Sequence, residues 1–166
     1  MYSSKKSPLA EGLFCAIILA MYEVRVEADF AAAHFLKDYH GKCENLHGHN
    51  YKVYVHIRGE VLDDGGILMD FSILKKNLRK ICKTLDHTNL NELKDSQDTL
   101  IFDNNPSAER IATHIYNKLR DALETYLSST RTDSTSDGAS TPQTVPYIYA
   151  VDVFETETSR ARYIPT

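Results

Sequence analysis

The stretch CENLHGHNY, Cys43 to Tyr51, places a thiol four residues before the first of two histidines that a single glycine separates. Residues two apart in a strand project to the same face, so the imidazoles of His47 and His49 point together if this stretch is extended. His34 falls on the apolar parity of the alternating run that precedes it, and on a neighbouring strand it supplies a third imidazole. Three neutral nitrogen donors with an open fourth position form the donor set of catalytic zinc, whereas structural zinc sites are closed by four protein ligands. The plainer alternative makes HGH a polar turn ahead of a strand; the parity of His34 weighs against it. Cys43 has two competing uses, as a fourth ligand closing a structural site or as a free thiolate acting as base or nucleophile. Spacing leaves both open.

Further along, LDHTNLN sets Asp86 beside His87 after a helical run. Read for chemistry, the carboxylate orients the imidazole and raises its basicity. Read blandly, the stretch is an Asn- and Asp-rich helix exit with a solvated histidine. In VFETET, Glu155 and Glu157 continue the parity of Val151 and Val153. A carboxylate on an apolar row needs a partner if it is buried, and the guanidine-like edge of a heterocycle would satisfy it bidentately, as would an arginine such as Arg160. Glu109 in NPSAER suits the first turn of a helix without any ligand. Cys15 and Cys82 lie among apolar neighbours or on a helix, where a cysteine behaves as a small hydrophobe.

The elements that must position these groups follow from periodicity. Tyr22 to Phe30 alternates apolar and charged residues, as does Tyr51 to Arg58, the pattern of half-buried strands. DDGG, Asp63 to Gly66, reads as a turn followed by a short strand near Ile67 to Met69. Asp70 can cap a helix whose stripe is Phe71, Leu74, Leu78, Ile81 and Leu85. Asn105 can cap a second, with Pro106 in its first turn, that fades near Leu127. Residues 128–146 are polar and read as a flexible loop. YIYAVDVFETET and RARYI then supply two final strands. The order strand, strand, helix, helix, strand, strand predicts an α+β domain, a four-stranded antiparallel sheet with both helices on one face.

The chain has 166 residues, 42% hydrophobic and 25% charged, enough for one domain with a core. A net charge of −4 supplies no basic field for nucleic acid. Three widely spaced cysteines argue against a disulfide framework and for a reducing, cytoplasmic setting. LFCAIILAM, Leu13 to Met21, is short of the roughly 20 apolar residues a membrane span needs, so residues 1–20 read as an extension before a domain over 21–166.

Taken in order, FAAAH, CENLHGHNY, GGILMDF, LDHTNLN, NPSAE and VFETETSRARY resemble the 6-pyruvoyltetrahydropterin and 6-carboxytetrahydropterin synthase family from about Met21 to the C-terminus. The resemblance implies a tunnelling fold whose sheets join edge to edge between subunits, usually as a hexamer made of two trimers, with pockets between subunits. It implies zinc on His34, His47 and His49, proton transfer by Cys43, Asp86 and His87, a pterin anchored by Glu155, and a pocket lined by the segment holding Ser107 and Glu109. The short Cys-x-x-x-His-Gly-His spacing resembles the bacterial carboxy enzyme of queuosine and deazapurine synthesis, which acts on 7,8-dihydroneopterin triphosphate without a redox cofactor. Glu44 resembles relatives that cleave the side chain to a hydroxymethylpterin for folate synthesis; pyruvoyl product formation is a further alternative. The reading from another class is a non-catalytic zinc-stabilised binding module in which Cys43 closes the site.

Overall fold

The computed structural model describes residues 21–130 and 146–166. The expected extension, 1–20, and most of the expected polar loop lie outside the described residues. The elements are β1 (Tyr22–His34), β2 (His47–Gly59), α1 (Phe71–Leu85), β3 (Thr88–Asn89), α2 (Ala108–Thr130), β4 (Tyr147–Thr156) and β5 (Ser159–Tyr163). They form one sheet in the order β3-β1-β2-β4-β5.

β1 and β2 pair antiparallel without a break from Tyr22 opposite Gly59 to His34 opposite His47. Their alternation sends Val26, Ala28, Phe30 and Ala32 of one strand and Tyr51, Val53, Val55 and Ile57 of the other into the core. The helices cover that face. Asp70 caps α1 as expected, its carboxylate accepting from the Ser72 N–H at 2.6 Å. Leu74, Leu78 and Leu85 of α1 and Ile111, Ile115 and Leu119 of α2 are fully buried.

Four expectations change. The sheet has a fifth strand, β3, which runs parallel to β1 through Ala32 and Ala33, so the sheet is not purely antiparallel. Residues 67–69 form no strand, although Leu68 and Met69 are buried, because the preceding turn is closed around the Asp63 side chain, which accepts from Gly65 and Ile67. α2 continues through Thr130, past the expected fading at Leu127, since adding residues to a nucleated helix costs little even for Ser and Thr. Finally, Asn105 does not cap α2; its amide is committed elsewhere.

The opposite face of the sheet carries a charged chain across four strands. Glu23 Oε1 meets His56 Nδ1 at 2.8 Å, and His56 Nε2 meets Asp152 Oδ2 at 3.0 Å. Arg162 donates to both Asp152 oxygens at 2.6 and 2.7 Å, and Arg58 donates to Glu23 at 2.6 Å. Burial pushes the Asp152 carboxyl up, but the hydrogen bonds from Arg162 and His56 outweigh it and hold the group below its usual 3.8. Glu23 is also lowered, chiefly by its bonds to His56 and Arg58. A carboxyl lowered by folding adds stability above its unfolded value, and that stability is lost as pH falls through the folded one. Asp152→Asn is therefore expected to destabilise the protein at neutral pH by on the order of 2–3 kcal/mol, less than a fully buried broken pair because Arg162 is 31% exposed. It should also flatten the fall in melting temperature below about pH 4. Calorimetry across pH checks both.

Candidate active site

The three histidines converge at the end of β1 and β2 because the strand register puts them there. His34 is paired with His47, and His49 lies opposite Ala32. Gly48 lets the strands close, since a Cβ at that position would stand 3.3 Å from the Ala32 carbonyl oxygen. The ring centroids are 4.6 Å apart for His34 and His47, 5.2 Å for His34 and His49, and 5.0 Å for His47 and His49. One nitrogen from each lies within 4.8 Å of the other two.

The ring orientations are set from behind. His34 Nδ1 is 2.8 Å from the Pro106 carbonyl and His47 Nδ1 is 2.7 Å from the Asn45 carbonyl. A carbonyl only accepts, so both Nδ1 atoms carry a hydrogen, and Nε2 is the nitrogen each ring has left to offer as a ligand atom, the arrangement usual for metal-ligating imidazoles. His34 is only 2% exposed and its Nε2 is buried without a hydrogen-bond partner. Leaving such an acceptor unsatisfied costs about 1–3 kcal/mol. Burial lowers the pKa of His34 against the opposing pull of Pro106 and Glu155, which favours the neutral form that ligates. The orphaned lone pair of His34 and the convergence of three imidazoles, two of them oriented by backbone carbonyls, fit a nitrogen-favouring divalent metal.

Cys43 stands on a 3₁₀ turn over Lys42–Glu44, half-buried and reduced. Among the described residues the converging donor group consists of the three imidazoles, and the Cys43 sulfur is not part of it. Cys82, by contrast, is buried in α1, and burial pushes its thiol up to about 12. It is inert.

Asp86 ends α1, and its two oxygens do different work. Oδ1 accepts from the Ala31 N–H of β1 at 2.8 Å, and Oδ2 lies 2.8 Å from His87 Nδ1. The Ala31 bond, followed by the His87 bond, lowers the pKa of Asp86, so it is a carboxylate. His87 adopts a left-handed conformation, φ 56°, and its side chain is 82% exposed. It borders, with His49, Ala32 and Asn89, a cavity of about 480 Å³.

Glu155 sits at a break in the β4–β5 register, opposite no β5 residue, a bulge of the kind that re-aims side chains. It is half-buried with Oε1 3.9 Å from His34 Nε2. Glu157 is 91% exposed beside Lys52, so the parity shared in the sequence does not extend to it. Tyr51 lies between His49 and Phe30, its hydroxyl buried without a partner; burial, with Glu155, pushes its pKa upward. Ser107 is half-buried just before α2, and Glu109 is exposed in its first turn, outside the donor cluster. Sequence reading missed Pro106 and Asn45 as the carbonyls that orient histidines; a backbone acceptor has no side-chain signature.

Fold and site together define an α+β domain with an open three-imidazole centre next to a carboxylate–imidazole pair. The family model described as 6-pyruvoyl tetrahydropterin synthase matches residues 23–165, and the chain belongs to that family. It is 34% identical over 148 residues to the 6-carboxy-5,6,7,8-tetrahydropterin synthase of Synechocystis, covering 86% of this chain and 93% of that one. It is 38% identical over 96 residues to the dihydroneopterin monophosphate aldolase of Pyrococcus furiosus, covering 58% and 73% respectively. The solved structure of Caenorhabditis elegans 6-pyruvoyl tetrahydropterin synthase superposes with a TM-score of 0.65 at 27% identity, covering 89% of this chain and 98% of that one.

If the three imidazoles hold a metal, His47→Ala should take up much less of it than the wild type while keeping the fold, because one of three donors is gone and the ring lies at the strand's end. Elemental analysis after equilibration with zinc chloride measures this. Full metal content in the variant overturns the assignment.

Proposed function

We propose that the chain is a zinc-dependent 6-carboxy-5,6,7,8-tetrahydropterin synthase that takes 7,8-dihydroneopterin triphosphate and water to 6-carboxytetrahydropterin, acetaldehyde and triphosphate, within queuosine or deazapurine synthesis. The observation that carries the reading is the buried, unpartnered Nε2 of His34 in an open three-imidazole set that excludes Cys43. A zinc-stabilised binding module would need that thiol to close the site.

His34, His47 and His49 would hold zinc, which when bound supplies Lewis acidity and charge stabilisation at the substrate side chain. Glu155 accepts from the amino-pyrimidine edge of the pterin, whose donors its half-buried carboxylate can meet bidentately. Asp86 holds Nδ1 of His87 and leaves Nε2 to give and take protons. Cys43 serves as the opposite proton-transfer group, with Ser107 and Glu109 in the surrounding wall. The product assigned follows the Synechocystis relative. Glu44, adjacent to Cys43 on the same 3₁₀ turn, and the aldolase relative support a second reading, cleavage to 6-hydroxymethyl-7,8-dihydropterin.

Among the described residues the outer edge of β1 is taken at Ala31 by Asp86 and His87 and at Ala32 and Ala33 by β3, which leaves Tyr22 to Phe30 for another copy and supports a homo-oligomer, a hexamer of two trimers, with pockets between subunits. No helix among the described residues is long and apolar enough to cross a membrane. The unpaired Cys43 and Cys82 support a cytoplasmic setting.

Incubation with dihydroneopterin triphosphate should yield the carboxypterin and acetaldehyde by mass spectrometry; a hydroxymethylpterin instead would establish the second reading. Cys43→Ala should keep its zinc and lose turnover by about 10²–10⁴-fold. Metal loss in that variant would make Cys43 a ligand. Glu155→Gln should weaken pterin binding by roughly one to two orders of magnitude, the worth of a charge-assisted bond, as read by calorimetry.

A further inference from the structure

The loop over residues 35–46 joins β1 to β2 and carries Cys43, and two asparagines outside it hold its first residues. Asn91 Oδ1 accepts from the Phe35 N–H at 2.8 Å while its Nδ2 donates to the Phe35 carbonyl at 2.9 Å. Asn105 treats Lys37 the same way, at 2.7 and 2.9 Å. Each amide does for one residue what the backbone of a neighbouring strand would do. The orientation of both amides follows from the bonds, since exchanging oxygen and nitrogen would set donor against donor.

Leu36, between the two clamped residues, donates its N–H to the Cys43 carbonyl at 2.8 Å. Beyond the end of β1, the backbone of Phe35, Leu36 and Lys37 thus finds its partners in two asparagine amides and the Cys43 carbonyl, with Lys37 already entering the turn. Past Cys43, the Glu44 and Asn45 N–H groups close the turn onto Gly41 and Lys42 at 3.1 Å, and the Asn45 carbonyl receives His47 Nδ1–H. The clamps come from the two segments that deliver the other site groups. Asn91 follows Asp86, His87 and β3, whereas Asn105 precedes Pro106, whose carbonyl holds His34.

We propose that Asn91 and Asn105 are positioning residues: through Phe35, Leu36 and Lys37 they fix the loop that carries the Cys43 thiol relative to the end of β1 and β2 where the histidines converge. The inference rests on the catalytic reading of Cys43 given above. A long surface loop is free to adopt many shapes, and displacement of a reacting group by about an ångström costs about 10²-fold in rate. Asn91 is the cleaner probe because it does not adjoin Pro106.

The experiment compares wild type with Asn91→Ala and with the isosteric Asn91→Asp, which keeps the acceptor for Phe35 N–H but faces its carbonyl with a second acceptor. Zinc content, kcat and KM are measured. The rate at which iodoacetamide alkylates Cys43 is followed by mass spectrometry of its peptide, with buried Cys82 as internal reference. Zinc should be retained, KM little changed, kcat reduced about 10–100-fold, and Cys43 alkylation accelerated at least about threefold as the loop opens locally, with Cys82 unaffected. Unchanged Cys43 alkylation in folded Asn91→Asp overturns the proposal. So does zinc loss in step with kcat, which would place the effect on the metal cage. If Asn91→Ala does not fold, Asn91→Asp decides; failure of both to fold makes the clamp a requirement of the fold and also overturns it. Wild type that does not turn over the pterin removes the functional reading alone, because the alkylation rates still decide whether the clamp positions the thiol.

Discussion

The register of β1 against β2 is the constraint on which the rest depends. Side chains alternate across a sheet with a period of two, so a slip of one residue would turn every core residue of a strand to the opposite face. Val26 faces Val55, Ala28 faces Val53, Phe30 faces Tyr51, and the same sequence of pairs ends with Ala32 at His49 and His34 at His47. The apolar pairs are buried under two helices, and their burial fixes the register far more firmly than the imidazoles could. The histidine cluster is the polar continuation of a hydrophobic row, aligned by packing two to four residues away.

The two faces of the sheet handle polar groups in opposite ways. On the face away from the helices, Glu23, His56, Asp152, Arg58 and Arg162 answer one another with short bonds across four strands. On the helix side, His34 Nε2 and the Tyr51 hydroxyl are the buried side-chain polar atoms without a partner among the described residues. Buried polar groups in native proteins are nearly always satisfied, and exceptions gather where a ligand completes the set. Local stability is spent where this rule is broken.

Much of this was legible in the residues themselves. Alternation marked the long strands, the capping aspartate marked α1, and parity put His34, His47 and His49 on one face. β3 was not legible, because two residues carry no period; it exists through the pairing of Thr88 and Asn89 with β1. Asn105 has the chemistry of a helix cap, but its amide finds the Lys37 backbone instead, a choice that only the folded chain presents. Glu155 and Glu157 shared a parity that the β4–β5 bulge broke. That the Cys43 sulfur stands outside the donor group among the described residues was not legible either, because it depends on where its loop lies.

Asp86 and His87 also terminate an edge. Ala31 gives its N–H to Asp86 Oδ1 and its carbonyl to the His87 N–H at 2.6 Å, while the Ala33 carbonyl is taken by Leu90. A strand laid along the outer side of β1 would therefore run out of free backbone at Ala31. Growth of the sheet and construction of the carboxylate–imidazole pair compete for the same two backbone groups, so that a strand trespassing past that point must evict Asp86 and release His87. The boundary between the backbone that an added strand could reach and the backbone that the carboxylate–imidazole pair holds is drawn by a single residue of β1.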